Sequence, residues 1–403
     1  MSEVKTKVPQ LRFPGFSDEW EEKKLGNISK LTSSKRVYLD DYVQSGIPFY
    51  RGKEISELQK GLTPKDILYI SNESYEQYKS KYGIPQVDDI LITAVGTLGN
   101  ILRIKDRKPF YFKDGNLIWI KDIYEYSNFL EILLEVKNKE IQKTSIGSTQ
   151  RALTMVELRK LLLPFPAKQE QQKIAAFLTA VDTKIEQLSK KQELLGEYKK
   201  GLMQQIFSQA IRFKADDGST FPEWKEKKLG DIVRFENGKG HEQNISKDGK
   251  FIVVNSKFIS SQGRVKKYTD TQKSPLNFGD VVMVMSDVPN GKALAKCYYI
   301  EQDNLYSLNQ RICGLKHKLA DTKFIYYRIN RHKYFLSFDS GVGQTNLKKM
   351  EILNCPLNIP TDIKEQAKIA NFLSSVDNKI EQMGKQLDES KQFKKALLQQ
   401  MFV

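Results

Sequence analysis

Cysteine and histidine are scarce, three of each in 403 residues, and all lie in the second half: Cys297, Cys313 and Cys355, with His241, His317 and His332. None falls in a CxxC, HxxxH or HExxH spacing, which argues against a disulfide framework or a zinc site. Long apolar runs are lacking too. The opening Met-Ser-Glu-Val-Lys-Thr-Lys holds no apolar leader core, and no stretch nears the roughly 18 uncharged apolar residues of a membrane span. A cytoplasmic protein without a membrane partner is expected. There is no GxxxxGK[ST] phosphate loop, because Gly52-Lys53, Gly238-Lys239 and Gly291-Lys292 are not followed by Ser or Thr. No Asn-Pro-Pro-aromatic motif is present to hold an amino group for methylation. Gly341-Val-Gly-Gln-Thr-Asn lacks the third glycine of a dinucleotide fingerprint and reads as a loop. Asp88-Asp89 reads as a turn before a strand. No catalytic residue and no metal ligand can be nominated.

What the chain has is positive charge. Lysine and arginine number 65 against 49 acids, a formal net charge of +16, and a polyanionic partner is the first inference. With 10% aromatic and 28% charged residues the composition is that of a folded protein rather than a disordered one. The length allows two or three domains.

The chain also repeats itself. EWEEKKLGNI at 19–28 returns as EWKEKKLGDI at 223–232, with Phe13-Pro14 and Phe221-Pro222 ahead of each copy. KIAAFLTAVDTKIEQ at 173–187 returns, shifted by 195, as KIANFLSSVDNKIEQ at 368–382, and GLMQQIF at 201–207 answers ALLQQMF at 396–402. A period near 200 residues is a domain length, so this is a tandem duplication rather than a solenoid. Between the matching flanks, residues 30–145 and 234–340 share little beyond pattern. They carry short β-type runs, such as Asp89-Ile-Leu-Ile-Thr93, Leu117-Ile-Trp-Ile120, Phe251-Ile-Val-Val254 and Asp280-Val-Val-Met-Val-Met285, broken by turn residues. Asp89 and Asp280 open corresponding strands, and a glycine-containing loop follows each.

The repeated C-terminal parts place apolar residues at alternating steps of four and three. One seam contains Ile174, Leu178, Val181, Ile185 and Leu188; the other contains Ile369, Leu373, Val376, Ile380 and Met383. Each seam continues with polar interruptions to Ile206 and Met401. Such a heptad-like seam predicts a rod of about 60 Å for some 40 residues, and two such rods are expected to pair. The alternative is that each helix packs only on its own domain. Asp362 and Glu365 form a candidate capping box for the second helix. Gly196, Gly201 and Gly384 weaken the helices, so pairing has to supply their stability.

Taken together, the two Phe-Pro…Glu-Trp…Lys-Leu-Gly openings, the loop Gly147-Ser-Thr-Gln-Arg151 before Leu153, and the duplicated Pro-Phe-Pro…Glu170-Gln-Gln-Lys-Ile-Ala175…Asp182…Ile185 run resemble one family over nearly the whole chain. That family is the specificity (S) subunit of type I restriction-modification systems. The resemblance implies an α+β protein with pseudo-twofold internal duplication. Two β-rich target-recognition domains (1–166 and 213–360) would be separated by two conserved spacer helices (167–212 and 361–403), paired as an antiparallel coiled coil. It implies a non-catalytic subunit that reads a split, asymmetric double-stranded DNA target. Two methylation subunits and two restriction-motor subunits would be its partners, and S-adenosylmethionine, ATP and Mg would reside on them.

Base edges are read by Arg, Lys, Asn and Gln on loops. The candidates in the first domain are Lys35, Arg36, Arg51, Lys53, Thr97, Asn100, Gln150 and Arg151; in the second they are Lys239, His241, Asn255, Lys257, Asn290, Lys292, Gln344, Thr345 and Asn346. For each lysine the competing reading is a solvated charge, and for His241 it is an ordinary surface loop residue. Helix identities beyond the seam suggest two equivalent docking surfaces for the methylation subunit. These are Lys173, Asp182, Lys184, Glu186 and Gln187, matched by Lys368, Asp377, Lys379, Glu381 and Gln382; recent duplication is the competing explanation. Two other function classes remain beside this one: a self-sufficient DNA enzyme, and a stand-alone DNA-binding regulatory or scaffold protein without enzymatic partners.

Overall fold

A computed structural model describes residues 8–147, 151–289 and 291–403. The chain divides into two compact units. Unit 1 comprises residues 1–189 and 385–403, and unit 2 comprises 190–384. The borders cut both long helices near their middles.

Unit 1 holds a four-stranded antiparallel sheet in the order Lys30–Thr32, Leu117–Lys121, Ile90–Thr93, Ile101–Arg103. A second sheet runs Tyr42–Val43, Leu68–Ile70, Ile47–Tyr50, Tyr111–Phe112, with its last pair parallel. Unit 2 repeats this plan. Its first sheet runs Val233–Asn237, Ile312–His317, Val281–Val284, Cys297–Tyr299. Its second gains one strand and is ordered Ile245–Ser246, Tyr268–Thr269, Phe251–Val254, Tyr306–Leu308, Pro275–Leu276.

The strands expected after Asp89 and Asp280 are Ile90–Thr93 and Val281–Val284, and every residue of both is buried. Runs of branched apolar residues suit strands covered on both faces. Each Asp closes the turn that enters its strand. Asp89 Oδ2 accepts the backbone N–H of Gln86 at 2.8 Å, and Asp280 Oδ2 accepts that of Asn277 at 2.9 Å. Burial pushes both carboxyls above their ordinary range. The repeated opening becomes a two-stranded ribbon that ties the start of each domain to the approach to its helix. Glu21–Lys24 pairs with Leu162–Phe165, and Lys225–Lys228 pairs with Pro356–Ile359.

The long helices are Lys168–Phe207 and Ile363–Gln400. In unit 1 the early seam residues Ile174 and Leu178 share one core with Leu397, Met401 and Phe402 from the end of the other helix. In unit 2 Ile206 shares a core with Ile369 and Leu373. The helices therefore run antiparallel within each unit, and each also packs on the adjoining domain. Trp20 and Phe129 both pack on Phe402 at 5.9 and 5.7 Å between centroids. In unit 2 Phe324 takes the place of Phe129, 6.1 Å from Phe207 and 6.4 Å from Trp224. Val181, Ile185, Ile380 and Met383 are half-buried, while Leu188 and Val376 are buried. Among the described residues, no helix is long and apolar enough to cross a membrane.

Two ion pairs fix the register. Asp182 Oδ1 lies 2.6 Å from Lys394 Nζ, and Asp377 Oδ1 lies 2.6 Å from Lys199 Nζ. The two aspartates are equivalent in the repeat and so are the two lysines, so one contact is made twice with the helices exchanging roles.

The helix starts are anchored by buried charge. Arg12 forms two 2.8 Å hydrogen bonds to Glu170. Arg212 reaches Glu365 at 3.1 Å, and Trp224 Nε1 donates to the same carboxylate at 3.2 Å. Glu365 is thus taken up by these partners, and the capping box expected with Asp362 does not form. Asp362 alone caps, accepting the Lys364 N–H at 2.7 Å. Phe13 packs on Phe177, and Phe213 packs on the equivalent Phe372. Phe213, not Phe221, is therefore the structural counterpart of Phe13.

Candidate nucleic-acid interface

In each unit the loops that follow equivalent strands meet along one edge, and backbone contacts define the meeting. In unit 1, Ala94 N–H donates to Asn116 C=O (2.8 Å), Leu153 N–H to Ala94 C=O (2.9 Å), and Lys113 N–H to Tyr50 C=O (2.9 Å). A bridge joins Val95 to Ala152. In unit 2 the same contacts recur. Met285 N–H donates to Arg311 C=O (3.0 Å), Leu347 N–H to Met285 C=O (2.8 Å), and Asn309 N–H to Val254 C=O (3.2 Å). Ser286–Asp287 pairs with Thr345–Asn346. Four segments thus converge twice, around residues 51–53, 94–100, 113–116 and 151–153, and around 255–257, 285–289 with 291–296, 309–311 and 341–347. Segments 33–36 and 238–241 join them: Lys35 N–H donates to Tyr111 Oη at 2.9 Å, and Lys239 bridges Asn309.

Among the sequence candidates, Lys35, Arg36, Lys53, Thr97, Arg151, Lys239, Lys257, Lys292, Gln344 and Asn346 sit on these segments with exposed side chains. Two are countered by acids: Arg36 pairs with Asp114 at 3.1 Å and Lys53 with Asp66 at 3.2 Å. Arg151 donates to the Gln142 carbonyl at 2.9 Å. Gln150 and Asn290 lie outside the described residues.

Five candidates have other duties. Arg51 grips Glu54, a buried residue, with Nη2 2.6 Å from Oε1 and its own N–H 2.8 Å from Oε2. Burial by itself would raise the Glu54 carboxyl, but these hydrogen bonds outweigh it and hold the group below its ordinary value. Asn100 is half-buried and gives its amide to Ser56 Oγ. His241 is neither a surface residue nor a reader: it is fully buried, with Nε2 2.8 Å from Ser307 Oγ and Nδ1 2.7 Å from the Lys239 carbonyl. Asn255 caps the helix Ser256–Ser260, accepting the Phe258 N–H at 2.9 Å. Thr345 is buried and donates to Asp339 Oδ1 at 3.1 Å. In each case a polar side chain satisfied by its own chain has little left for a ligand.

Arg311 and Asn116, which are not among the sequence candidates, also lie on this edge. They occupy equivalent places ahead of the strands Ile312–His317 and Leu117–Lys121, and Arg311 is exposed. The available signal was position, one residue before a strand that recurs in both copies.

The expected docking residues also divide. Asp182 and Asp377 are spent in the helix-pairing bridges. Lys173 lies over Phe13 at 5.1 Å and Phe16 at 5.7 Å; Lys368 lies over Phe221 at 5.9 Å and 2.6 Å from Asp216. Contacts within the chain therefore account for their identity in the repeat. Lys184, Glu186 and Gln187, with Lys379, Glu381 and Gln382, are exposed and form no salt bridge among the described residues. No group of three or more His, Cys, Asp or Glu is placed to hold a metal ion among the described residues.

A duplicated domain with a loop edge on each copy and a reciprocal helix pair defines a class, and comparison with known proteins supplies its family. A model of the type I restriction modification DNA specificity domain matches residues 17–195 and again 222–391, and the chain belongs to this family. A type I restriction enzyme specificity subunit of Methanocaldococcus jannaschii, MjaVIII, is 23% identical over 418 residues, covering 96% of this chain and 92% of that protein. A candidate type I restriction enzyme specificity subunit of Haemophilus influenzae is 32% identical over 162 residues, which span 40% of this chain and 39% of that relative. The crystal structure of the type I restriction-modification S subunit from M. genitalium has a similar fold. Its TM-score is 0.64 at 16% identity, covering 98% of this chain and 99% of that one.

Proposed function

We propose that this chain is the target-reading subunit of a type I restriction-modification complex, with each loop edge reading one half of a split, asymmetric double-stranded DNA sequence. The observation that carries the reading is the edge built twice on matching scaffold with unlike residues. Asn116 stands where the other copy has Arg311, Ala152 where it has Asn346, and Val95 where it has Ser286. Scaffold that matches while the reading positions differ is what two different half-sites demand. The net charge of +16 suits a phosphate backbone. The exposed loop residues Lys35, Arg36, Lys53, Thr97, Arg151, Lys239, Lys257, Lys292, Gln344 and Asn346, with Arg311 added, are the contacts.

In this reading the chain makes and breaks no bond. Adenine methylation with S-adenosylmethionine belongs to two methylation subunits, and ATP-driven, Mg-dependent restriction belongs to two motor subunits, all acting in the cytoplasm. Lys184, Glu186 and Gln187 and their equivalents Lys379, Glu381 and Gln382 form two like surfaces for two copies of one partner.

Mapping methylated adenines across the genome with and without the chain tests the function. A two-block motif that depends on the chain is expected. Exchange of residues 30–150 for the matching segment of a relative changes one block alone. A methylation pattern indifferent to deletion of the chain would refute the assignment.

A further inference from the structure

We infer that the paired loops of unit 2 read an A·T base pair through Gln344, Asn346 and two exposed valines. This inference rests on the DNA-reading function proposed above.

The first observation is a preset amide pair. Gln344 Nε2 donates both to Ser286 Oγ and to Asn346 Oδ1, the latter at 3.2 Å. That arrangement uses the donor end of one carboxamide and the acceptor end of the other. Gln344 Oε1 and Asn346 Nδ2 then take no hydrogen bond among the described residues, so this exposed edge keeps one free acceptor and one free donor. Adenine shows the complement in the major groove, an N6 donor beside the N7 acceptor. Guanine shows two acceptors, O6 and N7, and leaves Gln344 Oε1 facing another oxygen. The amide pair therefore selects against guanine.

The second observation is apolar. Val288 is 63% exposed and Val342 is 84% exposed. Val288 follows Asp287, and the Asp287–Thr345 pairing carried one step further sets it opposite Gln344. Val342 stands two residues before Gln344, between Gly341 at φ +71° and Gly343 at φ +76°, backbone conformations that favour glycine and hold the valine at the loop tip. Scattered exposed apolar residues need no explanation, but two flanking one amide pair do. The apolar group of a base pair in the major groove is the thymine C5 methyl, which lies at the outer end of the A·T edge, past adenine N7 and N6 and thymine O4. A valine is too short to wedge between base steps as the longer apolar residues do.

The third observation is rigidity. The Asp287 carboxylate accepts the N–H groups of Val288 (2.9 Å), Ala293 (2.6 Å) and Leu294 (3.0 Å), and Thr345 is tied to Asp339. A loop pair fixed before binding keeps its selectivity. The equivalent positions in unit 1, Val95 and Ala152, cannot build the amide network, so this reader belongs to unit 2 alone.

The test selects duplexes from a random pool with the full chain, in complex with its partner subunits, and then repeats the selection with Gln344→Ala, Asn346→Ala and Val342→Ser. The expected result is loss of discrimination of about ten- to hundred-fold at one A·T position of one block by either amide variant, with the other block unchanged as an internal control of folding. Deoxyuridine in place of that thymine weakens wild-type binding about four-fold, the worth of one buried methyl, and leaves Val342→Ser unaffected. Uniform weakening on every duplex would make these backbone contacts and overturn the inference, as would an unaltered motif or a block without a fixed A·T pair. If the wild-type complex selects no sequence at all, the function proposed above fails instead.

Discussion

The two register bridges are equivalent in the repeat but unequal in their surroundings, and removing each aspartate gives different losses. Asp377 meets Lys199 through Oδ1 and accepts the Tyr327 hydroxyl through Oδ2 at 2.8 Å. Lys199 also lies over the Tyr327 ring at 5.1 Å. Burial raises the Tyr327 phenol far above its ordinary value and keeps it a donor. Asp182 meets Lys394 and has no second partner among the described residues. It is also the more exposed, 46% against 34%. A partly exposed ion pair contributes about 0.5–1 kcal/mol, and a hydrogen bond to a charged group about 1.5–3 kcal/mol. Asp377→Ala should therefore cost about 2–4 kcal/mol, and Asp182→Ala no more than about 1 kcal/mol. Asp377→Asn, which keeps an acceptor for Tyr327, should fall between them. Two units with separate cores make a single unfolding free energy ill-defined, so the measurement is hydrogen exchange read helix segment by helix segment. Residues 199–207 and 365–377 should lose protection in the Asp377 variants, and 174–189 with 389–402 in the Asp182 variant. The exchanged pair Lys199→Asp with Asp377→Lys should recover part of the loss. Equal losses at both sites, or a larger one at Asp182, would refute the reasoning.

Two further perturbations are independent of that one. A methyl group at Gly201 meets nothing within 4 Å, whereas at Gly384 it would lie 2.7 Å from Gln192 Nε2. Gly201→Ala should therefore stabilise its helix by about 1 kcal/mol, and Gly384→Ala should gain less or nothing, checked by hydrogen exchange of the helix turns around each position. His332 caps the short helix Lys333–Leu336, and its imidazole is depressed to about 4 by burial first and then by Arg328 and Lys333. A base whose folded value lies below its unfolded value near 6.5 takes up its proton mainly on unfolding. Its contribution is thus intact above about pH 6.5 and is lost as pH falls toward 4. Unfolding followed between pH 7 and 4 should show this decline in unit 2, and His332→Asn should flatten it.

The duplication, the two long antiparallel-pairing helices, the strands after Asp89 and Asp280, and the family itself were legible in the chain, because each rests on local periodicity or on a run of residues written twice. Ile174, Leu178, Ile369 and Leu373 could be assigned to the seam by spacing alone, since a helix turns the same face inward wherever it occurs. The fate of individual polar side chains was a different matter. Arg51, Asn100, His241 and Asn255 have the residue types of DNA readers, yet Glu54, Ser56, Ser307 and the Phe258 N–H take them up, and of these partners only Ser56, Ser307 and their like, distant in sequence, lay beyond any local pattern. The arms misled for a related reason. The Phe-Pro match set Phe221 against Phe13, while the longer second arm lets Arg212 and Phe213 reach Glu365 and Phe372 in their stead. Periodicity is a property of neighbours along the chain and survives without a fold; whether a charge or an amide is left for a partner is decided by groups that only the tertiary structure brings within hydrogen-bonding distance.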